Sequence, residues 1–196
     1  MIEPVYYAIY KPYGMLSQFT EEAGRSSLRA LHNFPSDVYP VGRLDADSEG
    51  LLFLTNDKKI NHLLLNPTFA HKRTYLAQVE GEITKEACAL LQHGVDISVD
   101  GKKHFAKASS AVPVNPNNIP ERNPPVRFRK SIPTSWAEIT LTEGKNRQVR
   151  KMTAATGFPT LRLIRIKIED MELGTMVPSE VKMLGRKEVY SLLRIR

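Results

Sequence analysis

Residues 42–54 read GRLDADSEGLLFL, a charged loop between two glycines that leads directly into an apolar run. The run at 51–54 predicts a buried central strand. Asp45 follows Arg43 within the loop, so its carboxylate is expected at the edge of that strand. Because acidic side chains are seldom buried without a partner, Asp45 is expected to have a cationic neighbour. Such a carboxylate, in an otherwise basic chain, is suited to chemistry on an anion.

The hydrophobic pattern on either side of this stretch mixes strands and helices without a regular alternation. Helix 84–94 has Thr84 as its cap and Gly94 at its end, and Asp100-Gly101 predicts a hairpin after strand 95–99. The other predicted strands are 5–10, 51–54, 75–80, 136–142 and 161–168, the last with a bulge at 163–164, and the other predicted helices are 28–32, 57–65 and 144–157. This order predicts an α+β fold with a mixed, mostly antiparallel central sheet and flanking helices.

The segment 113–133 contains six prolines, which supply no backbone donors to a sheet. It is therefore predicted to be a long loop or connector. Its four basic side chains give it a basic face. They are Arg122, Arg127, Arg129 and Lys130. We favour the interpretation that the segment is a solvated linker over the interpretation that it clamps RNA.

Composition indicates a soluble globular protein whose charge favours polyanionic partners. The 196 residues include 28 basic and 21 acidic side chains, for a net charge of +7. This excess favours nucleic acid as the partner, with a merely basic enzyme as the alternative. A single cysteine excludes an intrachain disulfide, and no apolar stretch is long enough to span a membrane. The start of the chain does not resemble a signal peptide, so the cytoplasm is the expected location.

Two other interpretations of the acidic loop, and a zinc site, are disfavoured. Asp45, Asp47 and Gly50 imitate the first half of a calcium loop, but the twelfth position is Asn56 instead of glutamate. A glycosidase pair is disfavoured because neighbouring carboxylates in one loop rarely face each other across a sugar. One cysteine and five histidines without metal-ligand spacing provide no zinc site. We therefore expect no metal and no cofactor.

Three further segments can supply a site around Asp45. One ends a strand at Lys11-Pro12, and another leads through Arg73 into a strand that carries Tyr75. The third is a glycine turn into a predicted helix with four cations, namely Lys145, Arg147, Arg150 and Lys151. The helix start and its cations can hold phosphates, the tyrosine can stack on an unpaired base, and one cation can neutralise Asp45 and lower its pKa.

These segments resemble, in order, the motifs of the RsuA/RluE-type pseudouridine synthases. The motifs are Lys11-Pro12-Tyr13-Gly14, Gly42-Arg43-Leu44-Asp45, Lys72-Arg73-Thr74-Tyr75 and residues 144–152, and the resemblance covers roughly residues 5 to 168. Residues 18–20, 122–125 and 130–136 resemble the RluE branch, which modifies 23S ribosomal RNA. Serine at position 48, where many relatives have threonine, is a mild departure.

The resemblance implies the pseudouridine synthase catalytic fold with a central cleft. Residues 1–196 would form a single catalytic domain, which can be divided into two lobes around the cleft. The domain would include the proline-rich loop at 113–133, and there would be no S4 domain. The implied reaction is isomerisation of a uridine to pseudouridine in 23S ribosomal RNA, by a cytoplasmic monomer that acts on the RNA or on an assembling large subunit, without a membrane or a cofactor.

The resemblance also implies roles for individual residues. Asp45 would be the essential carboxylate, acting as a nucleophile at the sugar or base, or as a base toward the 2′-hydrogen. Tyr75 would stack on the everted uracil and Arg150 would pair with Asp45. The implied substrate-binding residues are Lys11, Arg43, Arg73, Lys145, Asn146, Arg147, Gln148, Lys151, Val149 and Leu163. Alternatives are the same reaction on 16S ribosomal RNA or tRNA, and an RNA-binding protein without catalysis.

Overall fold

The structure, a computed structural model, describes residues 3–127, 129 and 131–195. Lys130, expected on the basic face of the proline-rich segment, lies outside the described residues. Contacts divide the chain into two compact units, the first formed by residues 1–71 and 165–196 and the second by Lys72–Ile164. The chain has a mixed α+β fold with a mostly antiparallel sheet, as the sequence predicts.

The first unit is built on two completely buried strands. Strand β1 (Tyr6–Lys11) pairs antiparallel with β3 (Glu49–Thr55), and every residue of both strands is buried. Strand β2 (Tyr39–Pro40) pairs with β3. This burial explains why residues 51–54 read as a continuous apolar run instead of an alternating one.

Helices cover this unit and their ends follow local sequence signals. Helix α1 (Lys58–Leu65) buries Ile60 and Leu64, and the carboxylate of Asp57 accepts hydrogen bonds from its first free N–H groups. A short 3-10 helix at Leu28–Ala30 replaces the predicted helix at 28–32. The later segments of the unit had no predicted elements beyond residue 168, yet they form strands β10 (Met171–Glu172) and β11 (Val181–Met183) and helix α4 (Arg186–Leu192).

The second unit contains a sheet and a separate hairpin. Strand β4 (Arg73–Glu80) pairs antiparallel with β8 (Thr134–Leu141), which pairs with β7 (Ser110–Val114). The hairpin of β5 (Val95–Val99) and β6 (Lys102–Ala106) turns at Asp100-Gly101 as predicted. Strand β9 (Thr160–Ile168) begins in this unit and ends in the first. The bulge predicted within β9 stays a prediction.

The helices of the second unit confirm one predicted boundary and correct another. Helix α2 (Lys85–His93) begins after Thr84, whose hydroxyl accepts from the Ala87 N–H, and ends at Gly94 as predicted. Helix α3 (Gln148–Ala155) begins later than the predicted position 144. The reason is that Arg147 has a left-handed backbone, φ 53°, which a helix does not contain. The prediction that Arg147 lies within the same helix as Arg150 and Lys151 is therefore wrong.

The proline-rich segment also begins later than predicted. Pro113 lies inside β7, although the sequence places the start of the loop at this residue. Strand β7 pairs with β8 and ends the strand order of the sheet. An edge strand tolerates proline because one side of its backbone has no ladder partner.

Asp57 joins three elements of the first unit. One of its carboxylate oxygens accepts hydrogen bonds from the hydroxyls of Tyr6 and Tyr190, each at 3.0 Å, and the other caps α1. Burial and the bond to Asp57 raise the pKa of Tyr6 well above its usual range, so that hydroxyl stays protonated. The carboxylate therefore connects β1, α1 and α4.

Replacement of Asp57 by alanine is expected to lower the free energy of unfolding by about 2 to 3 kcal/mol, because a helix cap and the acceptor for the hydroxyls of Tyr6 and Tyr190 are both lost. Urea denaturation measures the change. Asp57→Asn keeps an acceptor and is expected to lose less. The control Asp96→Ala removes an exposed ion pair with Lys103 and is expected to change stability by less than about 1 kcal/mol. If Asp57→Ala lowers the free energy of unfolding by no more than this control does, Asp57 does not stabilise the connection between β1, α1 and α4.

Candidate active site and its family

The loop that carries Asp45 is held on both sides by the backbone and side chains of residues 11–17. Before Asp45, the hydroxyl of Ser17 donates to the Leu44 carbonyl at 2.7 Å and accepts from the Leu44 N–H at 3.0 Å. After it, the Ala46 carbonyl accepts from the Gly14 N–H at 2.7 Å. Gly14 adopts φ 82°, a conformation that favours glycine, in the turn that presents this N–H.

Asp45 itself begins a tight turn. Its carbonyl accepts from the Ser48 N–H at 3.0 Å, and its side chain is half-buried while Leu44 is buried. The backbone around Asp45 is therefore held from both directions, and the residue itself is half-buried. The sequence prediction of an acid at the edge of a buried strand is confirmed.

Lys11 is fully buried next to this loop, with 0% of its surface exposed. Its ammonium donates to the carbonyls of Met15 at 2.8 Å, Pro12 at 3.0 Å and Ala46 at 3.4 Å. Burial lowers the pKa of Lys11 to about 8, although the nearby carboxylates of Glu49, Asp47 and Asp45 oppose that shift. The sequence places Lys11 among the RNA-binding residues. Its burial corrects this, because an ammonium enclosed by carbonyls does not reach a phosphate.

Arg43 is exposed on the same loop, whereas Arg165 is buried nearby. The guanidinium of Arg165 donates from Nε to the Leu51 carbonyl at 2.7 Å. Its positive charge acts to lower the pKa of Lys11. Arg165 was not singled out from the sequence, because an arginine within a strand gives no local signal of burial.

The second unit contains the other predicted site residues. Tyr75 lies on β4, pairs in register with Ile139 and is half-buried against the apolar core of the unit. Val149 and Leu163 belong to that same core cluster. The structure therefore brings these three residues together within the second unit. Arg73 is half-buried two positions before Tyr75 on the same strand.

The turn before α3 is held by Gln148. Its side-chain amide donates to Glu143 at 2.6 Å and accepts from the Lys145 N–H at 2.9 Å, and only 3% of the residue is exposed. His104 contacts the same Glu143 oxygen at 3.1 Å. Gln148 thus holds the turn with both ends of its amide, a role that sequence reasoning missed along with Glu143 and His104.

The three residues before Gln148 are exposed, and the two cations of α3 are half-buried. The exposed residues are Lys145, Asn146 and Arg147. Arg150 donates to the Thr160 carbonyl at 3.2 Å, and Lys151 follows it on the helix. The pairing of Arg150 with Asp45 stays a prediction, as these residues belong to different units.

Among the described residues no group of three histidine, cysteine or acidic side chains is arranged to hold a metal ion. In the same part of the chain, no helix is both long enough and apolar enough to span a lipid bilayer.

The family model for RNA pseudouridylate synthases matches residues 5–155. The chain therefore belongs to the RNA pseudouridylate synthase family, and the resemblance seen in its motifs is confirmed. It is 47% identical over 172 residues to the ribosomal large subunit pseudouridine synthase E of Vibrio parahaemolyticus, which covers 88% of this chain and 70% of that protein. The protein of the same name from Xanthomonas axonopodis pv. citri is 47% identical over 170 residues, covering 86% and 87%. The chain is thus an RluE-type pseudouridine synthase, an isomerase.

A relative of another type supports the same family, and a solved structure supports the fold. The ribosomal large subunit pseudouridine synthase B of Bacillus subtilis is 34% identical over 191 residues, covering 97% of this chain and 72% of that protein. A crystal structure of a pseudouridylate synthase aligns with a TM-score of 0.76 at 24% identity, covering 98% of this chain and 75% of that one. This similarity confirms that the fold is the pseudouridine synthase fold.

Proposed function

We propose that this protein isomerises a specific uridine of the large-subunit ribosomal RNA, 23S rRNA, to pseudouridine, with Asp45 as the essential carboxylate. The N1–C1′ bond breaks, the uracil rotates and a C5–C1′ bond forms. The proton on C5 is lost and N1 gains one, so the product is an isomer of the substrate. The 23S assignment is supported by the names of four relatives that are 44–47% identical, each a ribosomal large subunit pseudouridine synthase E.

The observation that carries this proposal is the way the Asp45 loop is held. Hydrogen bonds fix the backbone at Leu44 and Ala46, and Asp45 between them is half-buried. A fixed acid of this kind supplies chemistry because it does not reorganise when the substrate arrives. A protein that only binds RNA gains nothing from a carboxylate facing a phosphate-rich ligand.

The remaining roles follow the family resemblance and the exposure of each residue. Tyr75 stacks on the everted uracil, Arg150 pairs with the Asp45 carboxylate, and Val149 and Leu163 line the pocket. The RNA strand is contacted by four exposed residues, namely Arg43, Lys145, Asn146 and Arg147. Arg73 and Lys151 are half-buried and lie at the edge of this RNA contact. Phosphate contacts of this kind offset the few kcal/mol needed to evert the uridine. The enzyme acts as a cytoplasmic monomer, as one catalytic domain, on ribosomal RNA that is free or within an assembling subunit.

Mapping of pseudouridines in the ribosomal RNA of cells that lack this protein tests the substrate. We expect one 23S rRNA site to lose its pseudouridine and the purified enzyme to restore it on that RNA. A missing pseudouridine in 16S rRNA or in a tRNA would replace the 23S assignment while keeping the reaction. An unchanged map, together with no pseudouridine formed by the purified protein on RNA from those cells, would overturn the proposal.

The hydroxyl of Tyr75 is expected to move a proton during the reaction. Tyr75→Phe keeps the ring and its packing, so RNA binding should stay within about twofold while kcat falls about 100-fold, the size typical of general acid–base catalysis. Rapid-quench turnover and a filter-binding titration measure the two effects. The control Tyr39→Phe removes a hydroxyl in the first unit and should leave both unchanged. Equal losses of binding and turnover at Tyr75→Phe would restrict this residue to stacking.

A further inference from the structure

Ser17 makes two hydrogen bonds to a single residue of the Asp45 loop. Its hydroxyl donates to the carbonyl of Leu44 and accepts from the N–H of the same residue, at 2.7 and 3.0 Å. Only 7% of Ser17 is exposed. The two residues are far apart in sequence, so this contact belongs to the tertiary structure and not to a local turn.

These bonds determine the orientation of the backbone that enters Asp45. The Leu44 carbonyl belongs to the peptide plane that joins Leu44 to Asp45, and a planar peptide moves as one body. When Ser17 fixes that carbonyl, it also fixes the direction in which the chain reaches the Asp45 Cα. A buried peptide without such a partner would lose one or two hydrogen bonds. The serine hydroxyl supplies the hydrogen bonds that a neighbouring β-strand would otherwise supply.

The peptide plane that follows Asp45 is held separately, because the Asp45 carbonyl accepts from the Ser48 N–H at 3.0 Å. The next plane along the chain, which contains the Ala46 carbonyl, is also held. The Ala46 carbonyl accepts from the Gly14 N–H and from the Lys11 ammonium, and neither bond involves Ser17. Loss of the Ser17 hydroxyl therefore releases one side of Asp45 and leaves the other in place. The loop is expected to stay folded, while the orientation of the Asp45 carboxylate becomes less well defined.

We propose that Ser17 is a positioning residue for the reaction, acting through the Leu44 peptide to orient the Asp45 carboxylate. The inference rests on the proposed function of Asp45. Its effect falls on the chemical step, because misplacement of a reacting group reduces turnover, whereas RNA affinity comes from cations elsewhere on the surface.

Ser17→Ala tests the assignment in the full-length protein on the 23S rRNA substrate. We expect kcat to fall about tenfold, with KM and the Kd for RNA within about twofold of the wild type. Ser17→Thr keeps the hydroxyl and is expected to recover most of the lost kcat. Melting curves for each variant provide the folded fraction by which the rates are corrected.

Ser27→Ala is the matched control. Ser27 is a fully buried serine in the same segment, and its hydroxyl donates to the Phe19 carbonyl at 3.2 Å, away from the Asp45 loop. It should lose stability without losing corrected kcat. An equal loss of kcat in this control, wild-type kcat in Ser17→Ala, or threonine no better than alanine would each overturn the role of Ser17. Failure of the proposed function is seen separately, as absent turnover in the wild type or as full turnover in Asp45→Asn.

Discussion

Asp45→Asn is expected to abolish pseudouridine formation, with a loss of at least about 1,000-fold in single-turnover rate. The amide occupies the same space but neither attacks carbon nor accepts a proton from the substrate, so the covalent and general-base roles are both removed. Tritium release from C5-labelled uridine in the 23S rRNA substrate measures the rate.

The fold and RNA binding should survive this substitution. The hydrogen bonds that hold the loop are made by the backbone of Leu44 and Ala46, and both remain in the variant. Circular dichroism and a binding titration should therefore match the wild type. A purified Asp45→Asn protein that retains more than a tenth of the wild-type rate would remove Asp45 from the catalytic role.

Lys11→Met is expected to have the largest effect on stability, about 4 kcal/mol, which corresponds to a fall of about 12 °C in Tm. The substitution removes the ammonium that donates to the carbonyls of Pro12, Met15 and Ala46. It also removes a cation close to Glu49, Asp47 and Asp45. Differential scanning calorimetry measures the change. The control Lys85→Met, at an exposed position, should shift Tm by no more than about 2 °C.

The contribution of Lys11 should also depend on pH in a definite direction. Its pKa is lowered to about 8 in the folded protein and returns to its ordinary value when the chain unfolds. Between pH 8 and the ordinary pKa of lysine, near 10.4, the unfolded state binds more protons, so the free energy of unfolding rises with pH. The stability difference between wild type and Lys11→Met should therefore widen from pH 8 to pH 9.5. A constant or narrowing difference in urea titrations would show that burial does not lower this pKa.

Local sequence signals predicted much of the fold. Thr84 and Gly94 mark the ends of α2, and Asp100-Gly101 marks a hairpin, because caps and tight turns depend on neighbouring residues only. The apolar run at 51–54 predicted β3 because a strand buried on both faces has no polar face to alternate with. The start of α3 was misplaced because a helical charge pattern does not reveal a left-handed backbone at Arg147.

The supporting residues of the site were not predictable in the same way. Ser17 and Gly14 act on the Asp45 loop through contacts between distant parts of the chain, and the residues next to Ser17 carry no signal of this. The burial of Lys11 was also missed, since lysine is rarely enclosed and its motif implied a contact with the substrate. Motifs point to the residues that we propose carry the chemistry, whereas only the tertiary structure shows which residues hold the loop around Asp45 in place.

The pairing of Tyr7 with Met183 has a consequence for synthesis of the protein on the ribosome. Strand β11 is translated after the whole of the second unit, yet it borders β1, which is translated before that unit. The first unit therefore cannot complete its sheet during most of translation, whereas every residue of Lys72–Ile164 is available earlier. The nascent chain is expected to acquire protease resistance first in this inserted segment, and the sheet into which the Asp45 loop leads should be completed only after β11 has emerged.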